Sequence, residues 1–125
     1  MLCFVIDDDL DDQEIFIMAL HDLGQHIECV TATDGAAALL KLEEQDFNPH
    51  YIFLDLNMPQ MHGMRCLAEI KKITRLDHVP VVIYSTSSEN KDIVESKRLG
   101  AAGFITKPHT VPALIDQLNE FFKSY

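Results

Sequence analysis

The stretch Tyr51-Ile-Phe-Leu-Asp55-Leu-Asn57-Met-Pro59 decides the fold. Its first four residues form an unbroken apolar run rich in aromatic and β-branched side chains, the habit of a strand buried on both faces of a parallel sheet. The run then meets Asp55, a carboxylate with no helix to cap and no surface position to explain it. Similar runs flank it at Leu2 to Ile6, Ile27 to Ala32, Val81 to Tyr84, and Phe104 with Ile105. Ile27 to Ala32 contains Glu28 and Thr31 and reads as an edge strand. Helical spacing separates the runs, which predicts a doubly wound α/β sheet of five parallel strands in the order 2-1-3-4-5, with five helices.

Each helix is expected to offer one apolar face to that sheet. The faces are Phe16, Leu20 and Leu23; Ala36, Leu39, Leu40 and Phe47; and Leu67 and Ile70 with Cys66 and Ile73. The terminal helix carries Val111, Leu114, Ile115, Leu118, Phe121 and Phe122 in phase, with Thr110 as its N-cap and Pro112 in the first turn. Residues 88–99 differ, because Ile93, Val94 and Leu99 are their only large apolar side chains. If helical, that segment is weakly anchored and a candidate moving part.

Length and charge narrow the function classes. The 125 residues, 47% of them hydrophobic, suit one core and lead to the expectation of a single domain over 1–125 without an output domain. Twenty acids against ten bases give a net charge of −10, which argues against nucleic acid and anionic lipid as partners. The longest apolar run, Ile15 to Leu20, has six residues, short of the ~18 or more needed to span a membrane. With no leader-like N-terminus, a cytoplasmic location is expected. Cys3, Cys29 and Cys66 lack metal or disulfide spacing, so reduced and mostly buried thiols are expected. The six histidines have no i, i+3 or i, i+4 pairs, which argues against zinc.

The chemistry lies where the strands stop. The first strand ends in Asp7, Asp8 and Asp9, the third in Asp55, the fourth in Ser85, and the fifth near Lys107. In the order 2-1-3-4-5 the first and third strands are neighbours at the crevice where ligands bind, so Asp7, Asp8 and Asp55 share one small volume. Carboxylates that close raise one another's pKa unless a cation compensates them. An oxygen-only ligand set favours a hard ion, Mg²⁺ first and Mn²⁺ as the alternative. Counting Asp7, Asp8 and Asp55 at −3, Lys107 at +1 and the dication at +2, the loaded site sums to zero. Part of the acidic run is helix-start chemistry, with Asp9 as N-cap and Asp11 and Asp12 favoured by the helix dipole.

Val-Ile-Asp-Asp-Asp (5–9), Leu-Asp-Leu-Asn-Met-Pro (54–59) with Gly63, Pro-Val-Val-Ile-Tyr-Ser (80–85) and Gly-Phe-Ile-Thr-Lys-Pro (103–108) together resemble the receiver domain of two-component response regulators. The resemblance covers essentially the whole chain and is closest to single-domain, CheY-like members with a flavodoxin-like fold. It implies that Asp55 is the phosphoacceptor, Asp8 a direct metal ligand, Asp7 an outer metal partner, and Asn57 a backbone-carbonyl ligand. Ser85 would hydrogen-bond one phosphoryl oxygen and Lys107 would pair with another; one residue over, Thr86 is the alternative hydroxyl. It also implies a switch in which Ser85 moves, Phe104 turns inward, and the face of the fourth and fifth strands and helices is reshaped. Phe104 lacks the hydroxyl of the tyrosine common at that position, and Thr86 is larger than the usual residue there.

The implied partners are a sensor histidine kinase or phosphotransfer protein and a downstream target on the face of the fourth helix, fifth strand and fifth helix. Self-association through the last helix is a second mode. The only catalysis implied is phosphorylation and dephosphorylation of its own aspartate. Two alternatives are a receiver-like interaction module that works without phosphorylation and a Mg²⁺-dependent phosphatase of the haloacid-dehalogenase type. The second requires an acid two residues after the nucleophile, where this chain has Asn57. A flavodoxin-type mononucleotide site would want hydroxyls and glycines after the first strand, where carboxylates stand instead.

Overall fold

The computed structural model describes residues 1–24 and 26–124. Five strands, β1 (Leu2–Ile6), β2 (Glu28–Ala32), β3 (Tyr51–Leu54), β4 (Val81–Ser85) and β5 (Gly103–Thr106), form one sheet in the order β2-β1-β3-β4-β5. Every neighbouring pair is parallel. The helices are α1 (Leu10–Leu23), α2 (Gly35–Leu42), α3 (Gly63–Ile70), α4 (Asn90–Arg98) and α5 (Val111–Ser124), with a 3-10 turn at Thr74–Leu76 before β4. Fold class, strand order and all five helices match the sequence reading. Among the described residues, no helix is long and apolar enough to cross a membrane.

Strand alternation divides the core in two. Phe4, Ile6, Ile52, Leu54, Val81 and Ile83 pack with Leu42, Leu67 and Ile70 from α2 and α3. On the other face Cys3, Val5, Phe53, Val82 and Tyr84 meet Phe16 and Leu20 of α1 and Leu114 and Leu118 of α5. The second layer is knit by rings, with Phe16 4.8 Å from Phe53 and 5.0 Å from Tyr84, centroid to centroid. Each large side chain so buried contributes ~1.5–3 kcal/mol. Cys3 and Cys66 are buried free thiols and Cys29 is half-buried, in keeping with the reduced state expected.

Three local expectations change. The buried face of α2 is Gly35, Ala38 and Leu42, whereas Ala36 is exposed and Leu40 is 66% exposed. Phe47 lies beyond that helix and fills the core from the following loop, edge-on to Phe4 at 5.0 Å. With apolar residues on nearly every position from 36 to 42, periodicity alone leaves the register of the face undetermined. The fifth strand, read as buried on both faces, is half-buried throughout because it is the free edge opposite β2. The weak anchoring of α4 holds: Ser96 is its one buried residue and Val94 is 58% exposed.

Arg75, in the 3-10 turn, performs a task no motif announces. Its guanidinium donates to the carbonyls of Leu42, Glu44 and Phe47 and to Asn48 Oδ1, closing the C-terminal end of α2. Arg75→Ala is expected to cost about 2 kcal/mol in urea unfolding, since several carbonyls lose a charged donor at once. Arg75→Lys should recover only part, because an ammonium cannot reproduce the planar fork. A loss under about 0.5 kcal/mol in Arg75→Ala would show that water replaces the fork without penalty.

Candidate functional site

Three of the charged groups are the first residues beyond their strands. Ile6 is in register with Leu54, so Asp7 and Asp55 leave the sheet side by side. Both continue the ladder by one bond: Asp7 N–H donates to Ala32 O at 3.0 Å and Asp55 N–H to Ile6 O at 2.9 Å. Lys107 follows β5, its N–H donating to Ser85 O at 2.7 Å. Two strand spacings of ~4.8 Å separate β5 from β3, so a long side chain is required to reach the carboxylates. The Lys107 stem crosses β4 with its Nζ 5.3 Å from the centre of the Tyr84 ring.

Carboxylate oxygens of Asp7, Asp8 and Asp55 all lie within 4.8 Å of one another, with Asp7 and Asp55 buried and Asp8 exposed. Lys107 Nζ is 2.8 Å from Asp7 Oδ2 and 3.9 Å from Asp55 Oδ2. The first contact is an ion pair and not an aligned hydrogen bond, and Asp7 Oδ2, fully buried, has no hydrogen-bond partner among the described residues. Lys107 supplies one positive charge against the carboxylates of Asp7, Asp8 and Asp55, so the cluster keeps a net negative charge that a further cation would offset. The donors are all hard oxygens, two buried and one open to solvent, so the cluster fits a divalent ion that keeps several waters.

Electrostatics tell the same story. Burial pushes the Asp55 pKa up to about 6; Lys107 and the Asn57 N–H oppose the rise, while Asp7 and Asp8 add to it. Asp7 is also raised, chiefly by burial. Burial alone would lower the Lys107 pKa, but its close contacts with Asp12 and Asp7 and the Asp55 charge raise it instead, so the amine stays protonated. The excess negative charge is thus only partly compensated by the protein itself.

The remaining expected residues fall at different distances from this centre. Ser85 ends β4 fully buried, its Oγ accepting from Ser87 N–H at 3.2 Å, whereas Thr86 turns to solvent. Asn57 is exposed, and its N–H points at Asp55 Oδ1 from 3.4 Å. Phe104 is half-buried and packs against the α2/α3 layer, beside Ile83 in the sheet register. His62 is the N-cap of α3, its Nδ1 accepting from Met64 N–H at 3.2 Å. Asp9 likewise caps α1 through Asp12 N–H at 3.0 Å.

Sequence reading missed two parts of the neighbourhood. Asp12, taken as a helix-start acid, bonds Lys107 Nζ at 2.7 Å. Its position one turn into the helix that follows the acid pair was the available signal. The other part is Ser87, whose Oγ donates to Asp92 Oδ2 at 2.6 Å while its carbonyl accepts from Thr106 Oγ1 at 3.1 Å. That residue joins the end of β4 to α4 and β5, a linkage that the run of four hydroxyls does not reveal.

A doubly wound sheet with an acid pair, a third carboxylate, a buried hydroxyl and a lysine at its strand ends defines a receiver-type α/β domain. The family model for the response regulator receiver domain matches residues 3–119. The chemotaxis protein CheY-3 of Vibrio cholerae serotype O1 is 32% identical over 98% of this chain and 92% of its own length. The phosphorylated cyanobacterial phytochrome response regulator RcpA superposes with a TM-score of 0.87 at 32% identity, covering 96% of this chain and 89% of that one. The Mn(2+)-bound form of response regulator Rcp1 gives 0.83 at 28% identity, covering 95% and 89%. The chain belongs to the response regulator receiver family, a module of two-component signalling.

Proposed function

We propose that this protein is a CheY-like response regulator that accepts a phosphoryl group on Asp55 in the cytoplasm. The observation that carries the reading is the buried Asp55 carboxylate, set within 4.8 Å of Asp7 and Asp8 oxygens and across from the Lys107 ammonium. Asp55 attacks the phosphorus of a phosphohistidine on a sensor kinase or phosphotransfer protein. An O–P bond forms, the P–N bond breaks, and the departing imidazole nitrogen takes a proton from water. Asp7, Asp8, Asp55 and the Asn57 carbonyl would hold Mg²⁺, with Mn²⁺ able to substitute. The ion supplies neutralisation of the charge on the transferring oxygens.

Lys107 then pairs with one phosphoryl oxygen and the Ser85 hydroxyl donates to another. Ser85 Oγ accepts from the Ser87 N–H, so any movement of Ser85 toward the phosphoryl group pulls on the knot linking β4, Asp92 of α4 and Thr106 of β5. Phe104 follows inward, and the α4-β5-α5 face presents a different surface to its target. With only Ser96 buried, α4 can be shifted by a few kcal/mol of new contacts. No other catalysis is assigned to the chain.

Intact-mass measurement after incubation with acetyl phosphate and Mg²⁺ tests this. A single base-labile phosphoryl adduct is expected, absent with EDTA and absent from Asp55→Asn. Turnover of phosphate esters without an adduct would reverse the assignment to a phosphatase. No adduct with any donor would leave a module that binds partners unphosphorylated.

A further inference from the structure

Lys107 is tied to an acid outside the metal cluster. Its Nζ lies 2.7 Å from Asp12 Oδ2 and 2.8 Å from Asp7 Oδ2, against 3.9 Å from Asp55 Oδ2. An ammonium has three N–H donors. All three acids lie within ion-pair range, but only Asp12 and Asp7 are at contact distance, and Asp55 stays beyond hydrogen-bond reach. Asp12 is not a loose surface acid. Its own N–H is held by Asp9 Oδ1 at 3.0 Å, and Asp9 N–H in turn by Asp7 Oδ1 at 3.0 Å. The adjoining Gln13 Nε2 donates to the carbonyls of Asp7 at 2.6 Å and Ala32 at 3.2 Å, fixing the first turn of α1 on the sheet.

Building on the phosphoacceptor reading, we propose that Asp12 is a positioning residue that draws the Lys107 ammonium off Asp55 and competes with the phosphoryl group for it. Adding Asp12 corrects the charge count made without it. Asp7, Asp8, Asp12 and Asp55 at −4 with Lys107 at +1 leave −3, and a dication brings the site to −1 and not to zero. Phosphorylation removes the Asp55 charge and adds −2, so the modified, metal-loaded site stands at −2. Asp12 therefore acts in opposite senses on two ligands. It favours a dication, and it disfavours a phosphoryl dianion, both by its charge and by the short charge-assisted bond Lys107 must weaken. The signal it permits is one that reverses readily.

Calorimetric titration of the full chain separates this from a structural role. Mg²⁺ is titrated first, then beryllofluoride at saturating Mg²⁺, into the unaltered protein, Asp12→Asn and Asp12→Glu. In Asp12→Asn, Mg²⁺ affinity should fall about threefold and beryllofluoride affinity rise about fivefold, the opposite signs expected of a lost negative charge. Asp12→Glu, which keeps the charge, should stay within about twofold of the unaltered protein for both. A disturbed fold weakens both ligands together, and that result overturns the proposal. So does an unchanged beryllofluoride affinity in Asp12→Asn when the unaltered protein binds it. If the unaltered protein binds no beryllofluoride, the phosphoacceptor reading itself falls and takes this assignment with it.

Discussion

Gly63→Ala is expected to destabilise the protein by about 3 kcal/mol or more, although alanine is the better helix former by ~1 kcal/mol. Gly63 is the first residue of α3, and its N–H donates to Leu56 O at 2.7 Å, folding the loop after Asp55 back on itself. A Cβ at this position would overlap the Asp55 carbonyl oxygen and stand 2.5 Å from Leu56 Cα. Both obstacles are backbone, so no rotamer change relieves them. The peptide linking Asp55 to Leu56 must shift, and with it the nucleophile's alignment to Asp7 and Lys107. Urea unfolding measures the first effect, and the rate of adduct formation from acetyl phosphate measures the second. Stability within about 0.5 kcal/mol of the unaltered protein would show that the loop relaxes freely.

Asp55→Asn should stabilise the metal-free protein while abolishing phosphorylation. The folded-state pKa of Asp55, about 6, stands above its unfolded value of 3.8, so the folded form retains a proton the unfolded chain has released. Stability from this group is therefore fully present below about pH 4, declines as pH rises to about 6, and stays reduced above that. Two pKa units correspond to ~3 kcal/mol as an upper bound. That bound already contains the attraction of Lys107 at 3.9 Å, and relaxation around the buried charge reduces it, so the amide is expected to gain about 1–2 kcal/mol at pH 7.5. In EDTA the gap should close as pH falls below about 4, where Asp55 is protonated in the folded and the unfolded chain alike. Mg²⁺ at ten times its Kd should raise the unaltered protein by ~1.4 kcal/mol and narrow the gap. An Asn variant less stable at pH 7.5 would mean that the Lys107 attraction outweighs desolvation.

How much of the site is legible beforehand depends on how each residue is held. Asp7, Asp55 and Ser85 are readable because an apolar run stops on a polar group, and a parallel sheet puts such stops along one edge. Lys107 is readable through the same logic from β5. Asp12 is hidden because its place beside Lys107 depends on how α1 packs against the sheet, 95 residues away in the chain. Ser87 is hidden among neighbours of equal chemistry, and only its bonds to Asp92 and Thr106 single it out. Arg75 gathers carbonyls, which every residue carries, so no side-chain pattern could reveal its targets.

The residue order by itself determined the alternation of strand and helix, the sheet order expected of it, and the delivery of three carboxylates and a lysine to one end. These follow from local periodicity, which acts over a few residues and survives any rearrangement of distant parts. Tertiary structure alone decided which acids hold Lys107, which face of α2 is buried, and how far β5 is covered. Those outcomes depend on distances between segments remote in the chain. A difference as small as that between 2.7 Å to Asp12 and 3.9 Å to Asp55 separates a hydrogen-bonded ion pair from a looser attraction.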